Sequence, residues 1–217
     1  MDDNAAIEIK DQEGTIVTSL IGTTLRRDNR DHTFLTTRGS DNSLTVNYAG
    51  GFLGGDSGFV KIVANSSWYF PLFWKFVGFL HGKAGYITQV EDGIVPIYEK
   101  FFLGGINSLR AFDSGDVSPR DPLTGDKIGG DKMVLFNAEL LFPLIEDMGV
   151  RGVVFFDMGN SYLEEENITF DNLKKDVGGG IRWYSPMGPI RVEWGYNLDP
   201  EPGEDESNLQ FPMGMFW

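Results

Sequence analysis

The ten-residue stretch NLQFPMGMFW, residues 208–217, predicts the fold of this protein more sharply than any other part of its sequence. Its even positions are mostly polar or small, whereas every odd position is apolar: Leu209, Phe211, Met213, Met215 and Trp217. A strand has this period of two when its faces meet different surroundings, such as lipid outside and a polar lumen inside. The stretch therefore predicts the last strand of an outer-membrane β-barrel. For this segment alone, a last core strand of a soluble sandwich is the alternative.

The same alternation recurs upstream, in segments 41–52, 57–70, 132–142, 150–162, 175–184 and 189–198. Two further segments, 14–26 and 74–88, read as strands that are apolar on both faces in places. Counting from residue 41 gives eight strands, and segment 14–26 makes nine. Single-chain bacterial barrels have even strand numbers, so nine predicts part of a larger wall. We therefore predict an all-β fold, an antiparallel transmembrane β-barrel of eight to nine strands. Closure by eight strands alone and pairing with a second copy remain open alternatives.

The predicted connections alternate in length. Short turns fall at 71–73, 143–148 and 186–188, and longer polar loops at 89–131, 163–174 and 199–207. Short periplasmic turns and long extracellular loops are typical of outer-membrane barrels. Aromatic residues lie near the strand ends, as interfacial girdles require; they include Trp68, Trp74, Phe142, Tyr162, Trp183 and Trp217.

Composition limits the function classes. The chain has 217 residues and is predicted to have an N-terminal extension, 1–13, before the C-terminal part of a barrel, 14–217, whose long extracellular loop is 89–131. The acidic start lacks a secretory signal, so we expect a fragment of a longer protein. A net charge of −14 argues against nucleic acid, and zero cysteines exclude disulfides and thiol chemistry. Only two histidines occur, far apart in sequence, so we predict neither a metal site nor a cofactor.

Within the long loop lies the segment FFLGGINSLRAF, residues 101–112. The glycine pair, Gly104 and Gly105, permits a turn in which backbone segments pass closely. Arg110 follows, between Leu109 and Phe112. A desolvated arginine in such a place needs a carboxylate or an aromatic face, whereas a solvated loop arginine is the simpler alternative.

This segment resembles the conserved-loop motif of the BamA-type outer-membrane assembly factors, the bacterial surface antigen family, in which a Gly-Gly pair leads to an Arg-Gly-Phe or Arg-Gly-Tyr tip. Three later stretches match in family order. Phe156, Asp157 and Gly159 resemble an inner-wall motif, SPMGPI at 185–190 resembles a turn, and 210–217 resembles the terminal strand. Residues 37–40, TRGS, resemble a further turn. Ala111 departs from the pattern, since the family usually has glycine there, and strain is expected if this position needs a positive φ.

The resemblance implies that the loop-docking motif, Gly104, Gly105, Arg110 and Phe112, tucks into the barrel and that Arg110 meets Asp157. Strand parity independently places Asp157 on the polar face. The resemblance also implies that the terminal strand, with Phe211, Gly214 and Trp217, forms one side of a seam that opens. Pro212 and Gly214 weaken ladder bonding in that strand.

By the same resemblance the protein inserts and folds β-barrel proteins in the bacterial outer membrane. Its partners are then outer-membrane lipid, client barrels and accessory assembly lipoproteins. A polypeptide-secretion transporter or passive pore of the same superfamily is the alternative. A calcium site is a further alternative, because the loop carries Asp113, Asp116, Asp121, Asp126 and Asp131 without the EF-hand spacing. Ser108 and His81 lack a nucleophile-elbow or paired-acid motif, so no enzyme activity is predicted.

Overall fold

The computed structural model describes residues 6, 10, 12, 14–185 and 188–212. Nine antiparallel strands follow one another in chain order and form one sheet. Their bounds are β1 Leu20–Asp28, β2 Gly39–Ala49, β3 Phe59–Pro71, β4 Val77–Gln89, β5 Lys132–Ile145, β6 Val150–Tyr162, β7 Lys174–Ser185, β8 Gly188–Asn197 and β9 Ser207–Gln210. The predicted all-β antiparallel fold with nine strands is confirmed. Among the described residues β1 and β9 are the two edges, so the sheet is an open part of a barrel wall.

The period of two that the sequence shows is the inside-outside period of this wall. On β8, Val192, Trp194 and Tyr196 are exposed on the outer face. Glu193 and Asn197 alternate with them and are fully buried on the inner face. Side chains of successive residues point to opposite faces of a strand, so the outer surface is apolar and the inner surface polar.

The two ends of the sheet differ in their connections. The end with the short connections 72–76 and 146–149 is here called the short-turn rim, and the opposite end, with the 90–131 loop, the long-loop rim. The ten-residue β1–β2 connection, 29–38, is longer than its neighbours on the short-turn rim. Arg151 on β6 holds it by donating from Nη1 to the carbonyl of Thr36 and from Nη2 to that of Leu35, at 3.2 and 3.3 Å.

Several strand boundaries differ from the prediction: β1 begins at Leu20 rather than at residue 14, and β5 continues to Ile145. Segment 41–52 ends as a strand at Ala49, because Gly50 and Gly51 take positive φ and turn the chain, and Phe52 is 85 % exposed in that turn. Trp74, predicted at the start of a strand, lies in the β3–β4 turn with φ 52°. An aromatic residue in a turn fits the alternating pattern as well as one in a strand, so the pattern does not mark where these strands end.

The long loop packs inside the wall and forms the main core of the molecule. Phe101, Leu103, Leu109 and Phe112 of the loop are buried with residues of β5 and neighbouring strands. Residues before β1 also contact this loop. Ala6 is fully buried, and its N–H donates to Asp126 Oδ2 at 2.8 Å. In the part of the chain that the structure describes, helices with the length and hydropathy of a membrane span are absent.

Candidate functional site

A tight turn at Gly104 and Gly105 brings the loop back on itself. Both glycines have positive φ, 108° and 90°, which is costly for residues with a Cβ. A Cβ on Gly104 would also lie 2.1 Å from the carbonyl oxygen of Asp113. The Gly105 N–H bonds to the carbonyls of Leu109 and Phe112 at 3.0 and 2.9 Å. The turn therefore closes the segment 106–113, called the tip below, into a compact unit.

Arg110 projects from the tip into the inner wall and is only 2 % exposed. Its Nε and Nη2 donate to the two carboxylate oxygens of Asp157 at 2.7 and 2.6 Å. Its Nη1 donates to Glu139 at 2.7 Å and to Glu193 at 2.8 Å. The planar guanidinium thus links β5, β6 and β8. Lysine has a single charged nitrogen and could not reproduce this fork.

The guanidinium also has an aromatic face beside it. Its central carbon lies 3.5 Å from the centre of the Phe155 ring, a favourable cation–π contact. The Phe155 ring in turn covers Gly178 of β7, where a Cβ would lie 2.4 Å from the ring. Glycine inside a strand marks a close approach of this kind, and Gly178 gives Phe155 the room to lie flat under Arg110.

Two further arginines complete an ion-pair cluster, which comprises Arg110, Glu139, Asp157, Arg182, Arg191 and Glu193. Arg182 Nε donates to Glu193 at 2.6 Å and its Nη1 to Glu139 at 2.8 Å. Arg191 Nε donates to Glu193 at 2.8 Å, and its Nη2 to the carbonyl of Ile106 at 3.1 Å. Glu139 and Glu193 are therefore each shared between Arg110 and Arg182, which fixes the position of the tip.

The backbone of the tip touches the wall at Gly195 of β8. A Cβ on Gly195 would lie 2.6 Å from the Ala111 nitrogen and 2.8 Å from the Arg110 carbonyl carbon. The Ala111 N–H donates to Asp176 Oδ2 at 3.2 Å. Positive φ among the described non-glycine residues occurs at Trp74, Lys75 and Glu91, so the backbone at Ala111 does not require glycine. The close contact at this point is made possible by Gly195 on the wall.

The structure places the predicted site residues as follows. Gly104, Gly105, Arg110 and Phe112 lie together in and beside the tip, and Arg110 meets Asp157. Gly159 is buried on the inner face of β6, where a Cβ would lie 2.7 Å from the Val134 carbonyl oxygen. Phe156 lies on the outer face, because neighbouring residues of a strand alternate, and the aromatic that meets Arg110 is Phe155. The prediction that Phe156 is an inner-wall partner of the tip is therefore wrong.

The predicted seam strand is described only in part. Phe211 follows β9, is 58 % exposed and continues its outer face, whereas Gly214 and Trp217 lie outside the described residues. Sequence reasoning did not assign the inner-face residues Asn208 and Gln210 to the site. Their side chains donate hydrogen bonds to the tip. Their polar character at even positions was the available signal, just as the glycines within β7 and β8 signalled a close backbone approach.

The acidic part of the loop is paired within the chain. Asp116 binds Arg120 and Lys127 at 2.9 and 2.8 Å, and Asp131 binds Lys100 at 3.1 Å. Clusters of potential metal ligands are absent from the residues that the structure describes. Ser108 serves the turn, since its Oγ accepts the Gly104 N–H at 2.8 Å. The site is thus built for docking, with donors and acceptors directed at one another.

The sequence and fold match known proteins. The model of the Omp85 superfamily domain matches residues 1–217. Outer membrane protein assembly factor BamA of Nitratidesulfovibrio vulgaris is 39 % identical over 222 residues, which covers 100 % of this chain and 28 % of that protein. BamA of Neisseria meningitidis serogroup B is 32 % identical over 184 residues, 69 % of this chain and 23 % of that protein.

A solved structure has the same fold. The crystal structure of BamA from Haemophilus ducreyi lacking POTRA domains 1–3 superposes with a TM-score of 0.77 at 23 % identity, covering 88 % of this chain and 41 % of that one. The chain spans less than a third of the length of the two sequence relatives. Since the superfamily model matches its whole length, the chain belongs to the Omp85 superfamily.

Proposed function

We propose that the protein carrying this chain inserts and folds β-barrel proteins in the bacterial outer membrane. Residues 14–217 are then the C-terminal part of its barrel. Two relatives that the chain matches are named as outer membrane protein assembly factors, which supports this reading. Such a role requires no covalent bond to be made or broken. It requires a wall with an edge that can open and a means of positioning that edge.

The observation that carries the proposal is the position of β9, which is one edge of the sheet among the described residues. Among the described residues, β9 pairs with β8 through four residue pairs, from Glu193↔Gln210 to Tyr196↔Ser207. At Pro212 the chain has no N–H to donate, and its carbonyl accepts the Arg191 N–H of β8 at 3.4 Å. A sheet edge that is released easily can pair with an incoming strand, and a growing client barrel supplies such strands.

In this proposal the partners are outer-membrane lipid, which meets the apolar outer face, and client barrels, which pair at the edge. Accessory assembly lipoproteins are expected to bind parts of the protein on the periplasmic side. The docked tip stabilises the inner wall beside the edge. A transport or pore function would instead require the tip to clear the lumen.

The test uses the full-length protein reconstituted in lipid vesicles. Folding of an urea-unfolded eight-stranded client barrel is followed by its resistance to denaturation on a gel, and single-channel conductance is recorded in parallel. We expect efficient client folding with low conductance, and impaired folding for Arg110→Ala and Asp157→Ala. High conductance without client folding would favour the pore or transporter and refute the proposal.

A further inference from the structure

The tip docks across two strands at once, and their register explains how. Glu193 and Gly195 on β8 lie opposite Gln210 and Asn208 on β9. At the first pair, Glu193 binds the Arg110 guanidinium. At the second, Gly195 leaves room for the Arg110–Ala111 backbone. Inner-face positions of both strands thus face the same short piece of loop.

The β9 side chains of these two pairs bond directly to the tip. Gln210 Nε2 donates to the carbonyl of Phe112 at 2.9 Å and to that of Arg110 at 3.3 Å. Asn208 Nδ2 donates to Asp113 Oδ1 at 2.7 Å. These contacts join residues about a hundred positions apart in sequence. They attach the edge strand to the loop independently of the sheet.

For residues 207–212 these bonds are an attachment additional to the pairing with β8. In the part of the chain that the structure describes, β9 has four residue pairs with β8, and the Pro212 carbonyl accepts the Arg191 N–H at 3.4 Å. Its outer-face residues Leu209 and Phe211 are 65 % and 58 % exposed. A hydrogen bond to a charged acceptor contributes more than a neutral one, and the Asn208–Asp113 bond is of this kind. Three side-chain bonds therefore add to the attachment that the ladder gives this strand.

From this geometry we propose that Asn208 and Gln210 form a latch through which the docked tip holds the edge strand β9 in place. Its role in client insertion rests on the proposed function, because there the edge must open. Undocking of the tip and release of β9 are then linked. Linkage is reciprocal, so weakening the tip loosens β9 and weakening β9 loosens the tip to a similar degree.

Gln210→Glu and Asn208→Asp test the latch with almost no change in size. Gln210→Glu replaces the donor by an oxygen facing two carbonyls, and Asn208→Asp places a second carboxylate against Asp113. Hydrogen exchange followed by mass spectrometry on the full-length protein in vesicles measures residues 104–113 and 207–212. We expect exchange of both segments to accelerate about fivefold or more in each variant.

Matched controls identify the cause. Gln89→Glu makes the same substitution at an exposed glutamine that ends β4, and we expect no acceleration in either segment. The combined N208D/D113N variant restores a donor–acceptor pair in the reverse sense, so exchange is expected to return toward the original rate. Arg110→Ala is expected to accelerate 207–212, whereas Arg120→Ala, at an arginine whose side chain is 47 % exposed, is not.

The segment 59–89, which covers β3 and β4, is the internal reference for global loosening. Acceleration confined to 207–212 in Gln210→Glu, with 104–113 unchanged, would overturn the latch. Equal acceleration of 59–89 would overturn it too, because the substitution would then act on the whole barrel. These measurements involve no client, so the latch and the assembly function succeed or fail separately.

Discussion

Asp157 on β6 and Asp176 on β7 lie directly opposite each other in the sheet, and both are fully buried. Like charges in that relationship destabilise a sheet. The two carboxylates are bound differently in the structure. Asp157 accepts two bonds from the Arg110 guanidinium and a third from Asn137 Nδ2 at 2.8 Å, whereas Asp176 accepts the Ala111 N–H through Oδ2. The Oδ1 atom of Asp176 has no hydrogen-bond partner in the described part of the chain.

The same substitution at these two positions should therefore have different effects on stability. Asp157→Asn removes the paired acceptor of Arg110, and we expect the free energy of unfolding to fall by roughly 2–3 kcal/mol. Asp176→Asn keeps an acceptor for the Ala111 N–H and removes the facing charge, so stability should be unchanged or rise by about 0.5 kcal/mol. Urea unfolding of the full-length protein in vesicles measures both. Equal losses in the two variants would contradict this account.

Gly195→Ala should displace the tip. The added methyl would meet the Arg110–Ala111 backbone, which is fixed by the ion-pair cluster and has little room to move. We expect faster hydrogen exchange in residues 104–113 and a loss of about 1–3 kcal/mol, typical of overpacking. Gly82→Ala on β4 is the control, since an added Cβ there meets no atom within 4 Å. If both glycines tolerate alanine equally, the tip does not depend on this close approach.

Ala111→Gly introduces the glycine of the motif that residues 101–112 resemble. Because the backbone at Ala111 does not have a positive φ, no strain is relieved. Glycine gains more freedom in the unfolded chain, so we expect stability to fall by about 0.4–1 kcal/mol. The measurement is again urea unfolding, with exchange of 104–113 as the local readout. A stabilised variant would show that alanine strains the tip.

Lys75 in the β3–β4 turn is held at φ 62°, where a residue with a Cβ is strained. Its ion pair with Glu146 is exposed on both sides and contributes little. Lys75→Gly should therefore raise the free energy of unfolding by roughly 0.5–1 kcal/mol. Lys132→Gly at the first residue of β5 is expected to destabilise, because glycine weakens a strand and the bonds from Lys132 Nζ to the carbonyls of Glu164 and Glu166 are lost. A loss of stability in Lys75→Gly would mean that the Glu146 pair outweighs the backbone strain.

Much of the fold could be predicted because each strand of a barrel wall shows its two faces within its own short sequence. The alternation at Val192, Glu193 and Trp194, for example, depends only on the different surroundings of the two faces of one strand. Boundaries were less visible where the chain turns on residues that also suit strands, as at Phe52 and Trp74. The sequence pattern likewise gave no sign that the 29–38 connection is held by Arg151.

The sequence by itself determined the strands, their inner and outer faces, and the polar position of Asp157. These follow from the period of two and from the different solvents on the two sides of the wall. Only the tertiary structure decided which groups meet across strands: Phe155 under Arg110, Gly195 under Ala111, and Asn208 and Gln210 bound to the tip. Such contacts depend on register and on the path of a loop, which bring together residues about a hundred positions apart, and no local pattern records them.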